Sequence, residues 1–101
     1  MKTFQDKVFA LVSRIPRGRV STYKAIADKI GVKAYRAVGQ VLKKNPYDSV
    51  PCHRVVCSDG SLGGYHGIAS SKKKMILLKK EDIKIKNNKV EDFEKRIFIH
   101  Y

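Results

Sequence analysis

The chain has 101 residues, 43% of them hydrophobic and 31% charged, and carries a formal charge of +13. That length suits one domain with a single core and leaves no room for a separate cofactor-binding domain, while the apolar content excludes a disordered chain. No apolar run is long enough for a membrane span, and "MKTFQDKVFALV" alternates charged with apolar residues where a secretion signal would be continuously apolar.

The protein is therefore expected inside the cell, with no membrane partner. Thiols there are normally reduced, hyperthermophiles excepted, so Cys52 and Cys57 do not imply a disulfide. The positive charge is uneven: residues 1–80 hold seventeen Lys or Arg against four acids, and residues 81–101 hold five of each. Between residues 17 and 44 eight basic residues face one acid. Such a segment attracts a polyanion, although a Lys-rich solvated surface of the thermophile kind gives a similar count.

The spacing of Phe4, Val8, Leu11, Val12 and Ile15 predicts a first helix over 3–15, halted by Pro16 and Gly18. Ser21 or Thr22 can cap a second helix, "YKAIADKI", that ends at Gly31. A third, "KAYRAVGQVLKKN", turns Ala34, Ala37, Val38, Val41 and Leu42 inward and its basic residues outward. Two short helices around a tight Gly-containing turn resemble a helix-turn-helix; the alternative is an αα-hairpin with no DNA role, and the basic outer face favours nucleic acid. After Pro46 the chain becomes irregular with short strand character, "SVPCHRVV", followed by the turn-rich "SDGSLGGYHG". A fourth helix, 72–80, buries Met75 and Leu77 or Leu78. Then "IKIKNNKVEDF" reads as a strand, an Asn-Asn turn and a return. The expected fold is mainly α, a winged-helix-like helix-turn-helix domain with short β segments, forming one domain over 1–101.

Three readings compete for the Cys-His segment. Cys52, His53, Cys57 and His66 are four metal-type ligands within fifteen residues, but structural zinc sites favour pairs two to four residues apart. Here four residues separate the cysteines and twelve separate the histidines, so no metal is expected. A free Cys is most often a small buried hydrophobe, the preferred reading for Cys57. Cys52 differs: Pro51 constrains it, and polar His53 and Arg54 follow, an environment that suits a reactive thiol. His53 can accept the thiol proton, with a carboxylate elsewhere to orient it. Neighbouring side chains of a regular strand point to opposite faces, so this relay requires either a bend at Pro51 or a bridging water.

At these residues the chain resembles the O6-alkylguanine-DNA alkyltransferases, also called methylated-DNA–protein-cysteine methyltransferases. "VPCHRVV" is similar to their active-site motif, and "GRVSTYKAIA", "YRAVGQVLKKNP", "SDGSLGGYHG" and "LLKKE" follow the family order over residues 4–81. The resemblance implies that Cys52 is the alkyl acceptor and His53 the general base acting through water. Glu81 then completes the relay, and Asn45 supports the active-site turn. It implies that Tyr23, Val55, Tyr65, His66, Gly67 and Lys74 contact the substrate. Tyr23 helps rotate and hold the flipped nucleotide, and Lys74 lies near the O6 leaving group. DNA contact falls to Ser21, Thr22, Arg36, Ala37, Gly39, Lys43 and Lys44, with Arg36 entering the duplex where the base has left.

The implied partner is duplex DNA containing O6-alkylguanine, bound in the minor groove by a monomer. The implied location is cytoplasmic and nucleoid-associated, or nuclear in a eukaryote, and no cofactor is expected. The match starts at the second domain of longer members, so the chain is expected to work without an N-terminal domain or its metal site. Alkyltransferase-like relatives of this size typically replace the reactive Cys and only bind the lesion, whereas Cys52 is present here. Ile68 stands where a small residue is common, and "IASSKKK" is two residues longer than usual. Both changes fall beside the implied guanine pocket.

Overall fold

The computed structural model describes residues 3–44, 49–63 and 72–99. Helix α1 (Phe4–Val12) opens with a capping box, in which Thr3 accepts from the Asp6 backbone and Asp6 accepts from the Thr3 backbone. It stops three residues before the predicted Ile15. Arg14 and Ile15 instead donate to Leu11 and Val12, tightening the last turn before Pro16. Strand β1 (Ser21–Thr22) runs directly into α2 (Tyr23–Ile30), capped by the Thr22 hydroxyl, which accepts from the Ala25 backbone. Of the two candidate caps, then, Thr22 is used. Gly31, at φ 93°, ends α2 in the left-handed region where a side chain would be strained.

Helix α3 (Tyr35–Lys43) starts two residues later than predicted, without a side-chain cap. Ala34, expected inward, is exposed at its N-cap, while Val38 and Leu42 are buried and Ala37 and Val41 half-buried. A single 3-10 turn (Cys52–Arg54) leads into β2 (Val55–Val56), which pairs in parallel with β1 in the register Ser21 to Val55 and Thr22 to Val56. Helix α4 (Lys72–Lys80) buries Leu78, leaving Met75 and Leu77 half-buried. The predicted strand and return are an antiparallel hairpin, β3 (Ile85–Lys86) and β4 (Lys89–Val90), with Asn87 and Asn88 at positive φ in its turn. A one-turn helix α5 (Phe93–Arg96) follows.

Two apolar clusters hold these elements. The first joins α1, α2 and α3 through Val8, Val12, Ile15, Ile26 and Val38, and includes Cys52 and Val55. The second joins Val20, Val56, Leu62, Leu78, Ile83 and Val90 beneath the hairpin. Each fully buried Val, Leu or Ile contributes about 1.5–3 kcal/mol. Adjacent β2 residues point to opposite faces, so Val55 enters the first cluster and Val56 the second. The segment after Cys52 is thus fixed from both sides. Among the described residues no helix is long and apolar enough to cross a membrane.

Candidate active site

Pro51, at ψ 64°, turns the chain out of extended geometry, and the 3-10 turn follows, with Cys52 donating to Val50 O at 2.8 Å and Arg54 to Pro51 O at 2.9 Å. This turn answers the geometric difficulty of adjacent Cys and His residues: the segment is not a strand until Val55. Cys52 is buried, and His53 and Arg54 both reach Glu81 at the end of α4.

Arg54 grips Glu81 with two hydrogen bonds, Nε to Oε1 at 2.9 Å and Nη2 to Oε2 at 2.6 Å, and its Nη1 donates to Ile15 O at 2.8 Å. A buried carboxylate needs such pairing. Burial alone would raise the Glu81 pKa, but the Arg54 hydrogen bonds, with the electrostatic pull of nearby His53 and Arg54, hold it below the usual carboxylate value.

His53 Nε2 lies 3.1 Å from Glu81 Oε1. It is not aligned for a hydrogen bond and has no other partner among the described residues; catalytic pairs are commonly this loose before substrate binds. Burial lowers the His53 pKa below its ordinary value, and Arg54 and Lys74 push the same way, against the pull of Glu81. The shift favours the neutral imidazole, the form able to accept a proton. A carboxylate beside Nε2 favours the tautomer protonated there, leaving Nδ1 as the basic nitrogen.

A second group of residues adjoins the first. Lys74 is fully buried on α4, its Nζ donating to Val55 O at 2.6 Å and lying 3.5 Å from Tyr23 Oη and 5.7 Å from the centre of that ring. Burial lowers its pKa to about 8. Burial, with the Cys57 and Cys52 thiols nearby, pushes the Tyr23 hydroxyl up to about 12, so it stays a hydrogen-bond donor across the physiological range. Cys57, expected in the core, is only half-buried. A methyl group added at Gly63 would sit 3.2 Å from Cys57 Sγ and 3.7 Å from Tyr23 Oη. Cys57 therefore faces the Tyr23 side of the site because the chain turns at Ser58 and Asp59 directly after β2.

The structure thus brings His53, Arg54 and Glu81 into one constellation and Tyr23, Val55 and Lys74 into an adjoining one. Buried Cys52 precedes His53 in the turn and is close enough to Tyr23 and Lys74 to act on their charges. Asn45, Tyr65, His66 and Gly67 lie outside the described residues, as does Ile68. On α3, Arg36, Lys43 and Lys44 are exposed, and Ala37 and half-buried Gly39 sit between them, Gly39 against the Tyr23 ring. Ser21 and Thr22, expected at the DNA surface, are instead buried, Ser21 within the β1–β2 pairing and Thr22 with its hydroxyl spent on the α2 cap. Arg54 and Cys57 are the site residues that sequence reasoning missed. Arg54 had a signal: a helix-terminal acid destined for burial needs a cation, and Arg54 stands beside His53. Among the described residues no group of three or more His, Cys, Asp or Glu could hold a metal ion.

A mainly helical domain with a helix-turn-helix and a basic third helix, and with a buried Cys followed by a His that reaches a buried carboxylate, has the architecture of a DNA-binding domain. Residues 3–83 match the model of the 6-O-methylguanine DNA methyltransferase DNA-binding domain, and the chain belongs to that DNA-repair family. It is 43% identical over 89 residues to a methylated-DNA–protein-cysteine methyltransferase of Candida glabrata, covering 86% of this chain and 42% of that one. With the Saccharolobus islandicus enzyme of the same name it shares 49% over 84 residues, covering 81% and 52%. The chain thus spans about half the length of these curated relatives.

Among solved structures, S. pombe Atl1 in complex with damaged DNA containing O6-carboxymethylguanine superposes with a TM-score of 0.83 at 30% identity, covering 97% of this chain and 98% of that one. The Mycobacterium tuberculosis OGT–DNA complex gives 0.71 at 41% identity, covering 80% and 50%.

Proposed function

We propose that this domain binds duplex DNA containing O6-alkylguanine, turns the damaged base out of the helix, and transfers the alkyl group irreversibly to Cys52. The observation that supports the reading is the array beside buried Cys52: His53, the next residue in the turn, has its Nε2 3.1 Å from a Glu81 carboxylate gripped by Arg54. In the proposed step Cys52 gives its proton, through water, to His53 Nδ1, and Glu81 stabilises the imidazolium that forms. The sulfur attacks the alkyl carbon, the S–C bond forms as the C–O6 bond breaks, and guanine leaves with its developing charge met by a donor near O6. In this reading Tyr23, protonated throughout the neutral range, and Lys74, 3.5 Å from its hydroxyl, are the donors at that end of the pocket.

Reaching the base means extruding it, which costs a few kcal/mol of unstacking. In this reading α3 lies in the minor groove, small Ala37 and Gly39 allow close approach, and exposed Arg36 fills the gap left by the base. Affinity then comes mainly from phosphate contacts and falls with salt, as repair without sequence preference needs. A carbon–sulfur thioether is not hydrolysed by ordinary acid–base side chains, so each monomer reacts once.

The test is a time course with excess duplex bearing labelled O6-methylguanine. Transfer that stops at one methyl per protein supports the reading, and continued turnover or no transfer refutes it. A second reading, lesion binding without transfer, is favoured by the fit of Atl1 over nearly the whole of both chains. It predicts tighter binding of methylated than of unmodified duplex with no label on the protein.

A further inference from the structure

Residues 84–99 lie beyond the family match, yet they touch both walls of the site. On one side the hairpin pairs with the loop that follows β2: Leu62 N donates to Asn88 O at 3.1 Å, Val90 N donates to Gly60 O at 2.9 Å, and Ser61 bridges to Lys89. The Phe93 ring lies directly against Gly60. A Cβ at Gly60 would come within 3.2 Å of that ring, and the residue holds φ 87°, so both the close approach and the backbone conformation require glycine there.

On the other side, residues 96–98 run parallel to Val20, with Val20 N donating to Arg96 O at 2.9 Å and Phe98 N to Val20 O at 2.7 Å. Arg19 adds a bond to Lys95 O at 2.9 Å. Val20 leads through β1 to Tyr23, and Gly60 leads to Gly63, whose backbone faces Tyr23 Oη and Cys57 Sγ.

We propose that residues 84–98 act as a clamp that sets the spacing between Tyr23 and the Cys57–Gly63 wall, with Phe93 as its positioning residue. One short segment ties together by backbone hydrogen bonds two stretches of chain, 18–20 and 60–62, that are otherwise joined through the two-residue β1–β2 pairing and the packing of Val20 with Leu62 in the second cluster. Phe93 is half-buried and packs against the second cluster without being one of its fully buried members. Removing its ring therefore loosens the 57–63 loop without emptying the core. The effect on chemistry rests on the transfer reading above.

The test compares full-length Phe93→Ala and Phe93→Tyr with the wild type in two ways. Hydrogen exchange of the 57–63 amides reads the clamp directly; transfer from methylated duplex, resolved into the rate constant at saturation and the half-saturating concentration, reads its consequence. Phe93→Ala should speed exchange in 57–63 about tenfold or more while α1 is unchanged. It should also lower the saturated transfer constant about tenfold, with half-saturation unmoved because α3 is untouched. Phe93→Tyr should restore both. If Phe93→Ala does not fold, Phe93→Leu takes its place. Unchanged exchange overturns the clamp, and so does faster exchange with an unchanged saturated transfer constant. If the wild type itself transfers nothing, the transfer reading fails, and exchange alone decides the clamp.

Discussion

Lys74→Met is the most informative single change to the fold. The Lys74 ammonium is fully buried, 2.6 Å from Val55 O. Burial brings its pKa from 10.5 to about 8, so at 1.36 kcal/mol per unit the charged form costs the folded state about 3 kcal/mol. Between those two values the unfolded chain holds a proton that the folded protein has released, so stability rises with pH across that window. The penalty is fully present below the folded pKa and gone above the unfolded one. Methionine removes the charge but leaves Val55 O short of a donor, an offset of about 1–3 kcal/mol that does not depend on pH. Groups that titrate in both proteins cancel in the difference. The wild type should therefore gain about 2.5 kcal/mol relative to Lys74→Met between about pH 7 and about pH 10. Urea unfolding followed by far-ultraviolet circular dichroism measures this. Two stability curves that run parallel across the window would refute the buried ammonium.

Glu81→Gln leaves the Arg54 guanidinium without its carboxylate and should cost about 3 kcal/mol of stability by denaturant unfolding. In the pH–rate profile of transfer, the wild-type acid limb should fall below the ordinary histidine value, because burial lowers His53 and a neutral base is needed. Glu81→Gln should move that limb lower still; a limb that moves up contradicts the relay. Gly39→Ala adds a methyl 3.9 Å from the Tyr23 ring, an ordinary contact. It should stabilise the domain by about 0.5–1 kcal/mol in thermal unfolding while weakening duplex binding, and a loss of stability would mean α3 packs otherwise. Arg36→Ala, at an exposed position, should leave stability within about 0.5 kcal/mol and weaken lesion-bearing duplex more than unmodified duplex in binding titrations. Equal losses would make Arg36 a phosphate contact only.

Much of this architecture was legible in local pattern. The Asn87-Asn88 turn, the Gly31 stop and the α2–α3 pair follow from residue types acting within a few positions of themselves. Boundaries were less so: Ala34 lacks a capping hydroxyl, so α3 begins where the chain frees itself from the turn. The site divides the same way. Cys52 and His53 could be singled out from their neighbours, but the Arg54 fork on Glu81 joins residues 27 positions apart, which no local pattern encodes. For Ser21 and Thr22 the local pattern indicated the capping role that Thr22 fills, while the DNA contact implied by the resemblance meets two buried residues, Ser21 in the β1–β2 pairing and Thr22 with its hydroxyl in the cap. Cys57 looked like core because two valines precede it; the turn at Ser58 and Asp59 swings it toward Tyr23.

That second thiol beside the site makes the identity of the acceptor the most direct test of the mechanism. Arg54 lies between the two cysteines, so trypsin separates Cys52 from Cys57 after reaction with a duplex bearing O6-methylguanine. The account predicts one added methyl group on the peptide ending at Arg54, none on the Cys57 peptide, and none anywhere in Cys52→Ser. A methyl group on Cys57, or transfer that survives Cys52→Ser, would contradict it.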